Sequence, residues 1–214
     1  MDTLKGIKNI IFDLGGVVIN LDFKRTVKEF NALGLEDIDK VYTQNRQLPW
    51  FDNYDIGKIS SETFLYELSK HLTPGTSNDQ IIHAWNAMLL DFPEERARLL
   101  LNLRKHYRTF LLSNTNNIHI EYYLDLIRKW YGEGAMERFF EKTYYSNRIG
   151  KRKPEKETFE FVINENALIA SETLFIDDTL QHVEGARLAG LRAYHLQAPE
   201  TIMELFGSHV ISDT

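Results

Sequence analysis

Ile7-Lys8-Asn9-Ile10-Ile11-Phe12-Asp13-Leu14-Gly15-Gly16-Val17 is a short apolar run that stops on an acid and then meets two glycines. Residues 7–12 predict a buried strand, since a strand covered on both faces reads as a near-continuous hydrophobic stretch. Asp13 then falls at the carboxyl end of that strand. A carboxylate in such a place can attack phosphorus and form an aspartyl-phosphate. Gly15 and Gly16 let the backbone turn sharply and approach a ligand closely. The Gly15 carbonyl is a candidate metal ligand, and the N–H groups around Gly16 are candidate phosphate donors.

Three more segments, far apart in the chain, fit the same chemistry. Leu112-Ser113-Asn114-Thr115-Asn116 follows a strand-like stretch from Thr109 to Leu112. Its hydroxyl, amide and backbone donors suit phosphoryl oxygens. Lys153-Pro154-Glu155 supplies a cation that can neutralise both Asp13 and a transferred phosphoryl group. Phe175-Ile176-Asp177-Asp178 closes a second strong strand that starts at Thr173. Side chains alternate along a strand, so one acid can face the site while its neighbour supports the loop. Asp13 with a second carboxylate suits Mg²⁺, which takes oxygen ligands and retains water. Each segment also has an ordinary explanation: Ser and Asn cap helices, paired acids occupy turns, and a lone Lys is usually solvated. Their joint occurrence in this order carries the reading. Lys151 and Arg152 are expected on the surface.

Residues from about 20 to 92 read as helices. Phe23, Val27 and Phe30 share one helix face, ended by Gly34. Ser60 or Ser61 can cap a helix with apolar residues Phe64, Leu65, Leu68 and Leu72. Ile81, Ile82, Trp85, Met88 and Leu89 form another face. Pro93 suits the first turn of a helix through Leu99, Leu100 and Leu103. Beyond it, α and β elements alternate: a helix over 118–131, a strand Lys142–Tyr145, a helix opened by Pro154, a helix Val183–Leu188 and a last strand Arg192–Leu196. This order implies a mostly parallel sheet with helices on both faces, and ligands bind beyond the carboxyl ends of such strands.

The chain has 214 residues, room for one α/β domain and a substantial insertion. Its net charge of −6 argues against a general nucleic-acid surface. There is no cysteine, which excludes disulfides, thiol catalysis and Cys-ligated zinc and accords with a cytoplasmic protein. Asn9 and Asp13 interrupt the first apolar run, so it does not read as a signal peptide, and no window approaches the length of a membrane span.

The four segments together resemble the haloacid dehalogenase-like hydrolase superfamily, over essentially the whole chain. The resemblance implies an α/β, Rossmann-like parallel-sheet core, residues 1–19 and 93–214, with an α-helical C1-type cap at 20–92. Asp13 matches the family's nucleophile, Ser113 its Ser/Thr, Lys153 its Lys and Asp178 its metal-binding acid, with Asp177 the companion acid. Asp55-Ile56-Gly57-Lys58-Ile59-Ser60 is similar to a segment of many such caps. The FDLG, LSNTN, RKPE and FxDD forms at Phe12, Leu112, Arg152 and Phe175 are similar to the branch around bacterial α-D-glucose-1-phosphate phosphatase.

The implied activity is hydrolysis of a small phosphorylated metabolite, such as a sugar phosphate, by a Mg²⁺-dependent monomer or homodimer. Asp13 and Lys153 are the expected catalytic groups. Ser113, Asn114, Gly16 and Lys153 are expected to bind phosphate, and Asp13, Gly15 and Asp178 the metal. Two positions depart from the family. Gly15 stands where such phosphatases carry an acid–base Asp, and His182 stands where Asn or Asp is usual. The cap should choose the substrate, with Arg46, Trp50, Phe51 and Tyr54 as pocket candidates. The alternatives are a 2-haloacid dehalogenase and a binding protein with little activity.

Overall fold

The computed structural model describes residues 3–35 and 49–207. Five strands form one parallel sheet: β1 (Asn9–Phe12), β2 (Arg108–Ser113), β3 (Lys142–Tyr145), β4 (Thr173–Asp177) and β5 (Arg192–His195), in the order β3-β2-β1-β4-β5. β1 is central and buried throughout. Phe12 pairs with Leu111 on one side and Ile176 on the other. That register sets the ends of β1, β2 and β4 side by side. Asp13 N–H donates to Ile176 O at 2.9 Å, which fixes the acid against the end of β4.

Alternate strand residues feed opposite faces. Ile10, Phe12, Leu111, Leu174 and Ile176 pack against α5 (Glu94–His106), α6 (Asn117–Tyr131), α7 (Ala135–Phe139) and α11 (Ile202–Phe206). Ile11, Phe110, Leu112 and Phe175 pack against α9 (Lys156–Glu165) and α10 (Leu180–Leu188). A short helix, α8 (Ser146–Ile149), follows β3. Pro154 lies two residues before α9 rather than inside its first turn. Its missing N–H is therefore spent in the loop that presents Lys153, and Glu155 becomes the residue flanking the helix.

Between β1 and α5 lie α1 (Phe23–Ala32), α2 (Pro49–Asp55), α3 (Ser61–Ser69) and α4 (Asn78–Asn86). They share a core of their own, built on Phe30, Phe51, Phe64, Leu68, Ile81 and Trp85. Asp22 caps α1, Ser60 caps α3, and Ser77 with Gln80 forms a capping box on α4. Ser60, not Ser61, is the cap, and Leu72 lies past the end of α3. The segments entering and leaving this insertion run side by side: Asn20 N–H donates to Asp91 O at 2.9 Å and Asp22 N–H to Met88 O at 2.9 Å. Among the described residues, no helix is long and apolar enough to cross a membrane.

The loop after α2 lies directly on the core. Gly57 has φ +71°, and a Cβ there would meet Asn147 O at 2.2 Å. Gly75 also has a positive φ, +91°, but open space beside it. Gly75→Ala should therefore cost about 1–2 kcal/mol, from left-handed strain alone. Gly57→Ala should cost about 1–3 kcal/mol more, from overpacking. Urea denaturation measures both, and equal losses would mean that the contact with Asn147 gives way without penalty.

Candidate active site

The central feature is a buried ammonium between two acids. Lys153 Nζ lies 2.6 Å from Asp13 Oδ1 and 2.6 Å from Asp177 Oδ2, and the Lys153 side chain is 0% exposed. Burial opposes its charge, but the two carboxylates outweigh that and raise its pKa. The backbone of Lys153 is held by Asn114: Lys153 N–H donates to Asn114 Oδ1 at 2.9 Å, and Asn114 Nδ2 donates to Lys153 O at 2.8 Å. Both ends of that amide are thus committed to placing the lysine. Donation to a phosphoryl oxygen at this position falls to backbone N–H groups.

Asp177 is fully buried at the end of β4. Thr179 N–H donates to its Oδ1 at 2.8 Å, and His182 Nδ1 lies 3.1 Å from both of its oxygens. Burial pushes its pKa up, but Lys153 and His182 more than offset this and hold it down at about 2. Asp178 points the other way, into a cavity of about 130 Å³. Asp13, Gly15, Ser113, Asn114, Thr179 and His182 share that wall. The alternation expected of adjacent strand-end acids thus divides them between Lys153 and the cavity.

These residues suit a divalent cation. Carboxylate oxygens of Asp13, Asp177 and Asp178 all lie within 4.8 Å of one another. Lys153 pairs with two of the three, and among the described residues no cation pairs with Asp178. Burial pushes Asp178 up to about 7, with Asp13 and Asp177 adding to the rise. Burial likewise raises Asp13 against the pull of Lys153. A cation beside them relieves this repulsion, and oxygen donors in this number suit Mg²⁺. Gly16 has φ +71°, and a Cβ there would lie 2.2 Å from Asp178 Oδ2, so only glycine leaves that oxygen its place.

The cavity is also lined by residues that were not expected at the site. Phe23, Asp55, Met88, Leu89, His119, Tyr123 and Arg152 line it, together with Leu21. Arg152, expected on the surface, forms an ion pair with Asp52 of α2 and turns into the cavity. Its position beside Lys153 was the available signal. The proposed cap candidates lie elsewhere. Trp50 stacks on Phe51 with ring centroids 4.0 Å apart, and Tyr54 stacks on Phe64 at 4.2 Å. None of the three is among the cavity-lining residues. Their aromatic area is consumed by the core that the helices between β1 and α5 share, while their neighbour Asp55 lines the cavity. Arg46 lies outside the described residues.

Comparison with known proteins follows the same lines. The profile of the haloacid dehalogenase-like hydrolases matches residues 7–190. The chain is 31% identical over 189 residues to a D-ribitol-5-phosphate phosphatase of Bacteroides thetaiotaomicron, covering 88% of this chain and 91% of that protein. A HAD-family enzyme of Bacteroides thetaiotaomicron, solved as an aspartate-to-alanine mutant with magnesium and inorganic phosphate, superposes with a TM-score of 0.88. It is 34% identical, over 94% of this chain and 98% of that one. A HAD-like hydrolase of Porphyromonas gingivalis superposes with a TM-score of 0.82 at 33% identity, over 94% of this chain and 97% of that one. The chain belongs to the haloacid dehalogenase-like hydrolases. It is an enzyme of the phosphatase kind within them.

Removing the central cation should be costly. Lys153→Met would leave two buried carboxylates facing each other, and loss of one partner from such a pair costs about 3–5 kcal/mol. Urea denaturation at neutral pH measures it. A loss below about 1 kcal/mol, the size of a surface pair, would mean that the acids find another counter-ion.

Proposed function

We propose that the chain hydrolyses a small phosphorylated metabolite, a sugar or polyol phosphate, through an aspartyl-phosphate on Asp13. The observation that carries this reading is the Lys153 ammonium bridging Asp13 and Asp177 in the wall of a cavity that Asp178 also lines. Lys153 favours the ionised form of Asp13 against the effect of burial and orients it for attack. Ser113 and the backbone N–H groups of Gly15 and Asn114 receive the phosphoryl oxygens; the Gly16 N–H, expected to do so, is given to Ile19 O at 2.9 Å. Asp177 and His182 hold the lysine and the loop after β4 in place.

Mg²⁺ is the cofactor. Asp13, Asp178 and the Gly15 carbonyl are the residues that would hold it. When bound it neutralises the acids and the phosphoryl oxygens, so that attack by a carboxylate on a dianionic ester is not repelled. The substrate class is supported by the D-ribitol-5-phosphate phosphatase among its relatives and by the mixed polar and apolar wall that the insertion contributes. We assign residues 20–92 to a cap and the rest to the core, since the insertion has its own apolar cluster and paired entry and exit segments. The acidic cluster favours phosphoryl transfer over a 2-haloacid dehalogenase, whose attack on carbon needs no metal.

A screen of sugar and polyol phosphates and 2-haloacids, with and without Mg²⁺, tests the reading. Release of phosphate only with Mg²⁺ is expected; halide release without metal would overturn it. Asp13→Asn should lower kcat by about 10³-fold or more, on the scale of losing a covalent nucleophile, with the fold intact by circular dichroism. Wild-type turnover in that variant would exclude the aspartyl-phosphate route.

Asp178→Asn gives a readout without turnover. Mg²⁺ at a hundred times its dissociation constant should stabilise the wild type by about 2.7 kcal/mol. The same Mg²⁺ concentration should shift the melting temperature of Asp178→Asn by much less. Equal shifts would place the ion elsewhere.

A further inference from the structure

The side of Gly15 where an acid–base carboxylate would project is already filled. A Cβ on Gly15 would lie 2.5 Å from Leu21 Cδ1 and 3.3 Å from Leu21 Cγ. The leaving group therefore meets an apolar group there, and a proton must come from another part of the wall. The other titratable residues of the cavity are few, and most are committed. Lys153 is locked between two carboxylates. Asp178 belongs to the cation site and His182 is held against Asp177. His119 has Nε2 3.1 Å from Trp85 O and Nδ1 3.5 Å from Asn116 Nδ2, and burial pushes it down to about 4. Burial pushes the Tyr123 hydroxyl well above its ordinary value, so it holds its proton too tightly. Arg152 is committed to its ion pair with Asp52.

Asp55 is the acid that remains. It closes α2, and three contacts fix that helix on the core around it. Asp52 pairs with Arg152. Ile118 N–H donates to Tyr54 Oη at 3.2 Å. Asn116 Nδ2 donates to Asp55 Oδ1 at 3.4 Å. The close approach of Gly57 to Asn147 presses the following turn onto the same seam. Asp55 thus lines the same cavity as Asp13.

We propose that Asp55 is the general acid and base of this enzyme, replacing from the cap the carboxylate that Gly15 lacks. The proposal rests on the phosphatase reading above. In the first step the Asp13 carboxylate bonds to phosphorus as the bond from phosphorus to the ester oxygen breaks. The Asp55 carboxyl gives its proton to that oxygen, and a neutral alcohol leaves. In the second step water attacks the phosphorus of the aspartyl-phosphate. The Asp55 carboxylate takes one water proton, the bond from Asp13 to phosphorus breaks, and phosphate leaves with both acids restored to their starting forms. Burial pushes Asp55 up to about 6, against Arg152 and the Asn116 amide, with Asp52 adding to the rise. A carboxyl poised there is protonated often enough to give a proton and ionised often enough to take one.

The test compares p-nitrophenyl phosphate, phenyl phosphate and D-ribitol 5-phosphate on the Mg²⁺-loaded protein. Phenol, like the tyrosine side chain, has a pKa near 10 and needs a proton as it leaves, as the sugar alcohol does; p-nitrophenol does not. Asp55→Asn should lower kcat/KM for phenyl phosphate and the polyol phosphate by about 10²–10⁴-fold, the usual worth of general acid catalysis. For p-nitrophenyl phosphate kcat/KM should hold while kcat falls, because the second step also needs the base. In the wild type, kcat/KM for phenyl phosphate should decline above about pH 6 as Asp55 loses its proton, and Asp55→Asn should lack that limb. Asn can keep the contact with Asn116, so a purely structural role would spare this variant. Asp55→Glu, which keeps the acid, should recover part of the phenyl phosphate rate. Equal loss of kcat/KM for all three esters, or a change in KM alone, would overturn the proposal and leave Asp55 a substrate-binding residue. Failure of the wild type to hydrolyse even p-nitrophenyl phosphate would instead sink the phosphatase reading beneath it.

Discussion

The buried ion triad of Asp13, Lys153 and Asp177 is the constraint that the rest of the core is arranged around. Taking one ammonium and two carboxylates out of water is expensive, and a well-packed apolar trio of similar volume is often as stable or more so. The arrangement is tolerated because its lone pairs are filled: Thr179 N–H and His182 serve Asp177, and Asn114 grips the lysine backbone from both sides. Three elements distant in sequence must converge for this. Register does the first part, since Phe12 opposite Ile176 puts Asp13 beside Asp177. Helix packing does the second. Gly185 of α10 sits where a Cβ would come within 2.2 Å of Pro154 O, so the loop carrying Lys153 can lie directly on α10.

The helical insertion meets this core along a seam that is more polar than either interior. Its own apolar cluster takes in one core residue, Ile118, from the start of α6. The other contacts around Asp55 are an ion pair, a backbone N–H to a tyrosine hydroxyl, and an amide to a carboxylate. A polar interface of this kind keeps two separate cores, between which relative movement is the default expectation. Arg152 ties the seam to the candidate site, because it pairs with Asp52 while its neighbour Lys153 holds Asp13. A side chain bound into the cavity is therefore read by both units at once.

The sheet and the acids were legible in sequence because burial on both faces leaves a near-continuous apolar run, and each run ended on a polar residue with few structural reasons to be there. Asp13, Ser113, Asp177 and Asp178 stand at or just beyond the strand ends where the pattern put them. The cap wall was not legible. Trp50, Phe51 and Tyr54 are the right residue types for a sugar face, yet a small helical cap needs aromatic area for its own core, and they supply it. Asp55 opens a segment similar to those of known caps and Arg152 stands in the RKPE form, but neither pattern points to the cavity. What distinguishes them is a contact with distant chain, Asp55 with Asn116 and Arg152 with Asp52, and periodicity does not report such contacts. The role of Asn114 was half legible: its type suggested hydrogen bonding, but only the fold shows that both ends of the amide are spent on Lys153.

Gly15 shows why an absent side chain has to be understood together with whatever fills its place. Had the region beside it been open, water could have stood in for the missing carboxylate. Leu21 closes it instead, and Leu21 is fixed by the antiparallel bridge to Leu89 at the root of the cap. An aspartate at position 15 would have to displace Leu21 Cδ1, and the bridge limits how far the backbone behind that methyl group can yield. The glycine, the leucine and the paired segments at Leu21 and Leu89 therefore lie against one another, and a side chain at position 15 requires the Leu21 side chain to turn aside. The same packing that denies the core its own acid also holds the root of the cap. The cap in turn carries Asp55 to the cavity, so the proton source and the missing carboxylate are two consequences of one packing arrangement.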